Sequence, residues 1–219
     1  MKILFALTGT FIIGLFSFIY LKITLPLFAL LDTADKWLLE ILNFDGGQAA
    51  DSFFYFVSSK MAWVPIGVMF LALLLTDKKY RRKTFFIVIA IALTVTLADQ
   101  ISSSLIKPAI GRLRPSHCDA ISGTLHYVNN YRSGRFGFCS SHAANSTGVL
   151  VLLSLIMRKR AIIIPLAIWT ILVCYSRIYL GVHYPGDIIC GCLVGAVSGV
   201  SVFRGYRYVY LNYHKLRMK

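Results

Sequence analysis

The sequence predicts an all-α integral membrane bundle of six transmembrane helices with an interfacial amphipathic segment. Three observations carry this. Of 219 residues, 57% are hydrophobic and only 15% charged, which is too apolar for an ordinary soluble domain. The apolar residues fall into six runs, 3–21, 61–76, 84–105, 142–157, 161–180 and 186–202, where a span needs about 20 residues and tolerates about 17. The basic residues concentrate in short loops between these runs. A formal charge of +14 invites a nucleic-acid reading, but the loop pattern follows the positive-inside rule instead. No internal repeat, low-complexity tract or linker interrupts the chain. It reads as one domain, 1–219, with a core at 61–202 and an anchor plus interfacial segment at 1–60.

Taken in order, the run 3–21 follows Lys2 and reads as an uncleaved anchor. A signal peptide is the alternative, but no small-x-small cleavage site follows. Residues 33–43 set Trp37, Leu38, Ile41 and Leu42 against Asp35, Lys36 and Glu40, the period of an amphipathic helix. With the aromatic stretch 53–56 behind it, 32–60 is expected to form one or two helices in the outer membrane interface. The run 61–76 is short, and extending it backward through 53–57 would lengthen it. Residues 77–83 form a basic cytoplasmic turn without assigned chemistry.

The run 84–105 carries Asp99, Ser103 and, just beyond, Lys107, spaced four apart and so on one helix face. Asp99 either orients a site cation or makes an interhelical polar contact; the second reading is preferred. An outer loop then runs to residue 138, in which His117 and His126 read as ordinary loop residues. The segment 139–146, Cys-Ser-Ser-His-Ala-Ala-Asn-Ser, opens the fourth span. Hydroxyls there can cap the helix, and its unbonded N–H groups suit an anion.

Residues 176–187, Ser-Arg-Ile-Tyr-Leu-Gly-Val-His-Tyr-Pro-Gly-Asp, place three ionisable groups between two apolar runs. Such groups are costly beside hydrocarbon unless paired and used. Pro185 suits a first helical turn, and Asp187 then falls where a carboxylate is favoured. From there it can accept a proton from one nitrogen of His183, leaving the other as a nucleophile. Arg177 offers a planar fork suited to phosphate. A satisfied polar cluster at a helix junction explains this stretch alone equally well.

Gly191, Gly195 and Gly199 form a small face for close helix packing. Cys174, Cys190 and Cys192 read as buried apolar residues. Cys118 and Cys139 both face the outside, where a disulfide between them is permitted and free thiols are the alternative.

Three segments together resemble a known family. Lys107-x6-Arg114-Pro115, Ser140-Ser141-His142 and Ser176-Arg177-x5-His183-x3-Asp187 are similar, in type, order and internal spacing, to the three-part signature of the type 2 phosphatidic acid phosphatases. The resemblance covers roughly 61–202. The middle segment departs from the usual Pro-Ser-Gly-His: Cys139 stands for Pro and Ser141 for Gly. Ser141 keeps the backbone N–H, while its side chain narrows the pocket. The resemblance implies that His183 attacks phosphorus and forms a phosphohistidine. Asp187 would hold His183, and His142 would protonate the leaving oxygen and then activate water. Lys107, Arg114, Ser140, Ser141 and Arg177 would bind the phosphate. These roles agree with what phosphoryl transfer needs, positioned positive charge and an in-line nucleophile.

No cofactor or metal is expected, since the outer half shows no further compact cluster of carboxylates and histidines. Arg112 would assist substrate binding or solvate a helix end. The expected activity is removal of phosphate from a lipid phosphate or diphosphate: lipid A, a polyprenyl diphosphate or phosphatidylglycerol phosphate. Expected partners are that phosphorylated lipid and the surrounding membrane lipids, with no nucleic acid. The expected place is a bacterial inner membrane, with the motifs facing the periplasm. A phosphotransferase using the same intermediate is the first alternative, and a non-enzymatic anion or lipid transporter the second.

Overall fold

The structure, a computed structural model, describes residues 27–217. The chain divides into two compact units, 1–38 and 39–219. Helix α1 covers 27–42. Within the first unit it exposes Leu27, Phe28, Leu30, Leu31 and Trp37, and Lys36 pairs with Asp32 one turn back at 2.6 Å. The expected span 3–21 lies outside the described residues.

Within the second unit the helices are α2 (Gly47–Val57), α3 (Trp63–Thr76), the short α4 (Lys78–Arg81), α5 (Thr84–Asp99), α6 (Lys107–Ile110), α7 (Ser141–Met157), α8 (Arg160–Tyr179) and α9 (Pro185–Arg217). The rod from Thr84 to Ile110, together with α8 and the Pro185–Leu211 part of α9, is long and apolar enough to cross a membrane, while α7 is apolar but shorter.

Three expectations need correction. The second run does not extend straight backward, because α2 and α3 are bent 76° to each other. The break has a local cause: Ser59 is extended, Lys60–Ala62 is a tight 3₁₀ turn, and Pro65 sits in the first turn of α3, where its missing N–H costs nothing. The last helix does not stop near residue 202. No Pro follows 202 to end it, and the added turns have their own contacts: Tyr206 stacks on Tyr210 at 5.8 Å, with Lys83 over the Tyr210 ring at 4.7 Å.

The third run also continues beyond its expected end, through a π-helical stretch, Gln100–Ile106, into α6. Pro108 has no N–H to give the carbonyl four residues back, so regular i→i−4 pairing cannot persist there. Gly111, at φ +64°, ends the rod.

Helix α7 is central, packing chiefly on α9 and then on α5 and α8. The glycine face expected on the last helix makes this possible. A Cβ at Gly191, Gly195 or Gly199 would lie 2.4, 2.2 or 2.6 Å from a carbonyl oxygen of the segment 140–148. Only glycine lets the two backbones approach so closely. At one end the basic turns meet: Lys159 pairs with Asp77 at 2.7 Å, and the Tyr80 hydroxyl donates to Met157 O at 3.1 Å. The motif residues collect at the opposite end, over a core of Leu39, Ile121, Leu125, Ala143, Ile178, Tyr184 and Ile188.

Candidate active site

The turn between α8 and α9 brings His183 and Asp187 together as the spacing predicts. Pro185 opens α9, and Asp187 Oδ2 accepts from the Tyr184 backbone N–H at 3.1 Å, the arm of a capping box made by an acidic residue in the first turn. The same oxygen lies 3.1 Å from His183 Nδ1. His183 Nε2 lies 2.9 Å from Arg114 Nη1. A guanidinium has no lone pair to give, so Nε2 accepts and Nδ1 carries the ring proton toward Asp187. Burial first, and then Arg114, Arg177 and Lys107, hold His183 well below its usual range, so the ring is neutral at neutral pH.

The arginines arrive by a strand-like pairing. Leu113 forms an antiparallel bridge with Phe136, flanked by Arg114 N→Arg135 O and Gly137 N→Arg112 O, each 2.9 Å. Residues two apart on extended chain project to one side, so Arg112 and Arg114 face the site together while Leu113 faces away. Arg114 is buried and also donates to Val182 O at 2.9 Å. Burial, followed by the charge of Arg177, brings it down to about 10, still protonated at neutral pH. Arg112 reaches Asp187 Oδ1 at 3.1 Å. Sequence reasoning gave Arg112 to substrate or to a helix end; its carboxylate partner is the finding, and the Arg-x-Arg alternation is the signal that could have suggested it. Gly137 leaves room for this crowding: a Cβ there would lie 3.0 Å from Asp187 Oδ2.

Arg177 is 2% exposed and donates from Nη1 to Ser58 Oγ. Its Nε and that of Arg114 are buried donors without an acceptor among the described residues. A polyoxyanion is the ligand such donors suit. Ser140 caps α7, its Oγ accepting from Ala143 N at 3.5 Å. Ser141 is a junction: its Oγ lies 3.0 Å from Lys107 Nζ and 2.7 Å from Ser103 Oγ, and Ser103 lies 3.3 Å from Asp99. Asp99 thus makes the interhelical contact through a serine and does not meet Lys107 directly. Ser141 and His142 also line a cavity of about 920 Å³. From Ser141 to Leu153 it follows one face of α7, roughly 18 Å at the helical rise. Its other walls include Trp63, Phe70, Leu73 and Trp169. A smaller opening of about 290 Å³ is lined by Lys107, Arg114 and Arg135 among others. All eight residues expected at the site are therefore at this end of the bundle.

The outer loop holds a network that sequence reasoning missed. His126 is no ordinary loop residue: its Nε2 lies 2.9 Å from Asp51 Oδ1, which also accepts from the Tyr179 hydroxyl at 2.6 Å. With Asp45, these side chains bring three ligand-type atoms within 4.8 Å of one another, so the expectation of no further carboxylate–histidine cluster does not hold. The two ring nitrogens face different carboxylates, however, Asp45 lying 4.0 Å from Nδ1. The permitted Cys118–Cys139 bridge is not formed, and all five thiols are free. Cys139 is buried against Cys190 instead, and that burial pushes its thiol up to about 12.

The profile of the PAP2 superfamily matches residues 88–211. A lipid A 4'-phosphatase of Bacteroides thetaiotaomicron is 40% identical over 164 residues, 73% of this chain and 72% of that protein. An undecaprenyl-diphosphatase of Sulfolobus acidocaldarius is 30% identical over 170 residues, 75% of each. The fold is similar to the crystal structure of Aquifex aeolicus LpxE, with TM-score 0.56 and 23% identity over 76% of this chain and 93% of that one. It is also similar to that of a Bacillus subtilis PAP2-type phosphatidylglycerolphosphate phosphatase, with TM-score 0.58 and 19% identity over 81% and 86%.

Proposed function

Because the chain belongs to the PAP2 superfamily, we propose that it works as a membrane lipid phosphatase through a phosphohistidine on His183. The observation that carries the mechanism is the position of Ser141 and His142 between two surroundings. On one side Lys107 meets Ser141, beside an opening that Lys107 and Arg114 line together; on the other lies the 920 Å³ apolar cavity. A phosphate held by the cations would place its lipid oxygen toward His142 and its hydrocarbon in the cavity.

In the first step His183 Nε2 attacks phosphorus, the bond to the lipid oxygen breaks, and His142 gives that oxygen a proton. An entering phosphoryl group takes over the N–H that Arg114 now gives to Nε2. In the second step water attacks phosphorus, His142 takes its proton, and the P–N bond breaks to release phosphate. Lys107, Arg114, Arg177, Ser140 and the N–H groups opening α7 stabilise the equatorial oxygens, a comparable donor being worth roughly 3 kcal/mol in the transition state. The 40% identity to a lipid A 4'-phosphatase favours the phosphate of lipid A over a polyprenyl diphosphate or phosphatidylglycerol phosphate. The active site faces the periplasm of a bacterial inner membrane, opposite the basic turns.

The test separates the two histidines. His183→Ala should give no phosphoenzyme with any ester. His142→Ala should lose about 10²–10⁴-fold on a lipid phosphate, whose alkoxide needs a proton to leave. It should lose far less in the nitrophenol burst, because nitrophenolate leaves unprotonated. Equal defects with both leaving groups would remove the acid role, and a burst from His183→Ala would remove the nucleophile. Running lipid A, prenyl diphosphate and phosphatidylglycerol phosphate with and without acceptor lipids tests the substrate and separates hydrolase from phosphotransferase.

A further inference from the structure

The buried carboxylate of Asp187 has two oxygens with different partners. Oδ2 takes His183 Nδ1 and the Tyr184 N–H, each at 3.1 Å. Oδ1 takes Arg112 Nη1 at 3.1 Å. The Arg112 guanidinium lies over the Tyr184 ring at 3.9 Å, a stacking that fixes its plane. Its backbone is fixed too, by Gly137 N–H on Arg112 O. Asp187 is fully buried and Arg112 is 20% exposed, so Arg112 is the outer member of the pair.

A buried carboxylate without a cation is costly and tends to take up a proton instead. A carboxylate free to rotate would also present either oxygen to His183. We propose that Arg112 is a positioning residue of the phosphoryl-transfer site: it holds Asp187 ionised and in one rotamer, so that Oδ2 always faces His183 Nδ1 and Nε2 always carries the lone pair. This rests on the phosphohistidine reading above. It assigns Arg112 Nη1 to Asp187 and not to the substrate phosphate.

A double-mutant cycle tests it. Arg112→Gln should slow the nitrophenol burst about 10- to 100-fold, the range known for partners that orient metal-bound histidines, with KM changed less than about 2-fold. Arg112→Lys should recover part of the rate, having the charge without the fork. In an Asp187→Asn background, Arg112→Gln should cost less than about 3-fold more, since the two residues act as one unit. Equal losses in both backgrounds, or a raised KM with an unchanged burst rate, would overturn the proposal and make Arg112 a substrate contact. If Arg112→Gln does not yield folded protein, Arg112→Lys carries the same comparison in both backgrounds. A fully active Asp187→Asn would instead defeat the histidine–carboxylate reading itself.

Discussion

Asn43 ties three parts of the outer end together, and its removal has a magnitude that can be worked from the geometry. It is 5% exposed. Its Nδ2 faces the carbonyls of Tyr179, His126 and Ile178 at 2.6, 3.1 and 3.2 Å, and its Oδ1 accepts from His126 N at 2.7 Å. Two amide hydrogens cannot fully serve three acceptors, so three hydrogen bonds are a fair count. At about 1 kcal/mol net for each, Asn43→Ala loses about 3 kcal/mol, and the stranded His126 N–H pushes that upward. For a chain of this size, 3 kcal/mol lowers the melting midpoint by roughly 6–12 °C. Asn43→Asp is sharper: it keeps the acceptor for His126 N but turns a carboxylate on three carbonyl oxygens, so it should be at least as damaging. Because Tyr179 lies two residues beyond Arg177, the turn that carries Arg177 should loosen as well. Thermal unfolding in detergent and hydrogen exchange across 112–140 measure both effects. A midpoint within about 2 °C of the parent, with loop protection unchanged, would refute the account of Asn43 as the clamp.

Three further outcomes are expected. His183 is held neutral by burial and by Arg114, Arg177 and Lys107, so the neutral form should persist as pH falls through 6.5. An ordinary imidazole is about nine-tenths protonated at pH 5.5, whereas NMR of labelled His183 should show no titration between pH 7.5 and 5.5, and a midpoint near 6.5 would contradict this. In the proposed mechanism the basic side chains supply the charge that magnesium supplies in many phosphoryl-transfer sites, so activity should survive excess chelator; loss that one divalent ion restores would sink that mechanism. With all five thiols free, reductant should leave the melting midpoint unchanged, and a bridge between Cys118 and Cys139 found by mass would contradict the structure.

What the sequence makes legible is chemistry confined to one helical turn or one fixed spacing. His183 and Asp187 are four residues apart, and Pro185 sets the helix start, so their meeting follows from local rules. The glycines at 191, 195 and 199 announce a close helix contact in the same way, though not the partner that proves to be α7. What stays hidden depends on long-range closure. Asn43 meets Tyr179 across 136 residues and His126 across 83, and no local pattern marks such a pair. The bend at Ser58–Lys60 hides for a related reason, since apolar residues continue on both sides and hydropathy cannot register a change of direction. Arg112 shows where the boundary lies. The alternation of Arg112 and Arg114 about Leu113 already says that both arginines face one way. Only the fold says that one of them meets His183 and the other Asp187 behind it. A residue assigned from spacing alone goes to the substrate by default, because the substrate is the one partner that sequence reasoning can name in advance.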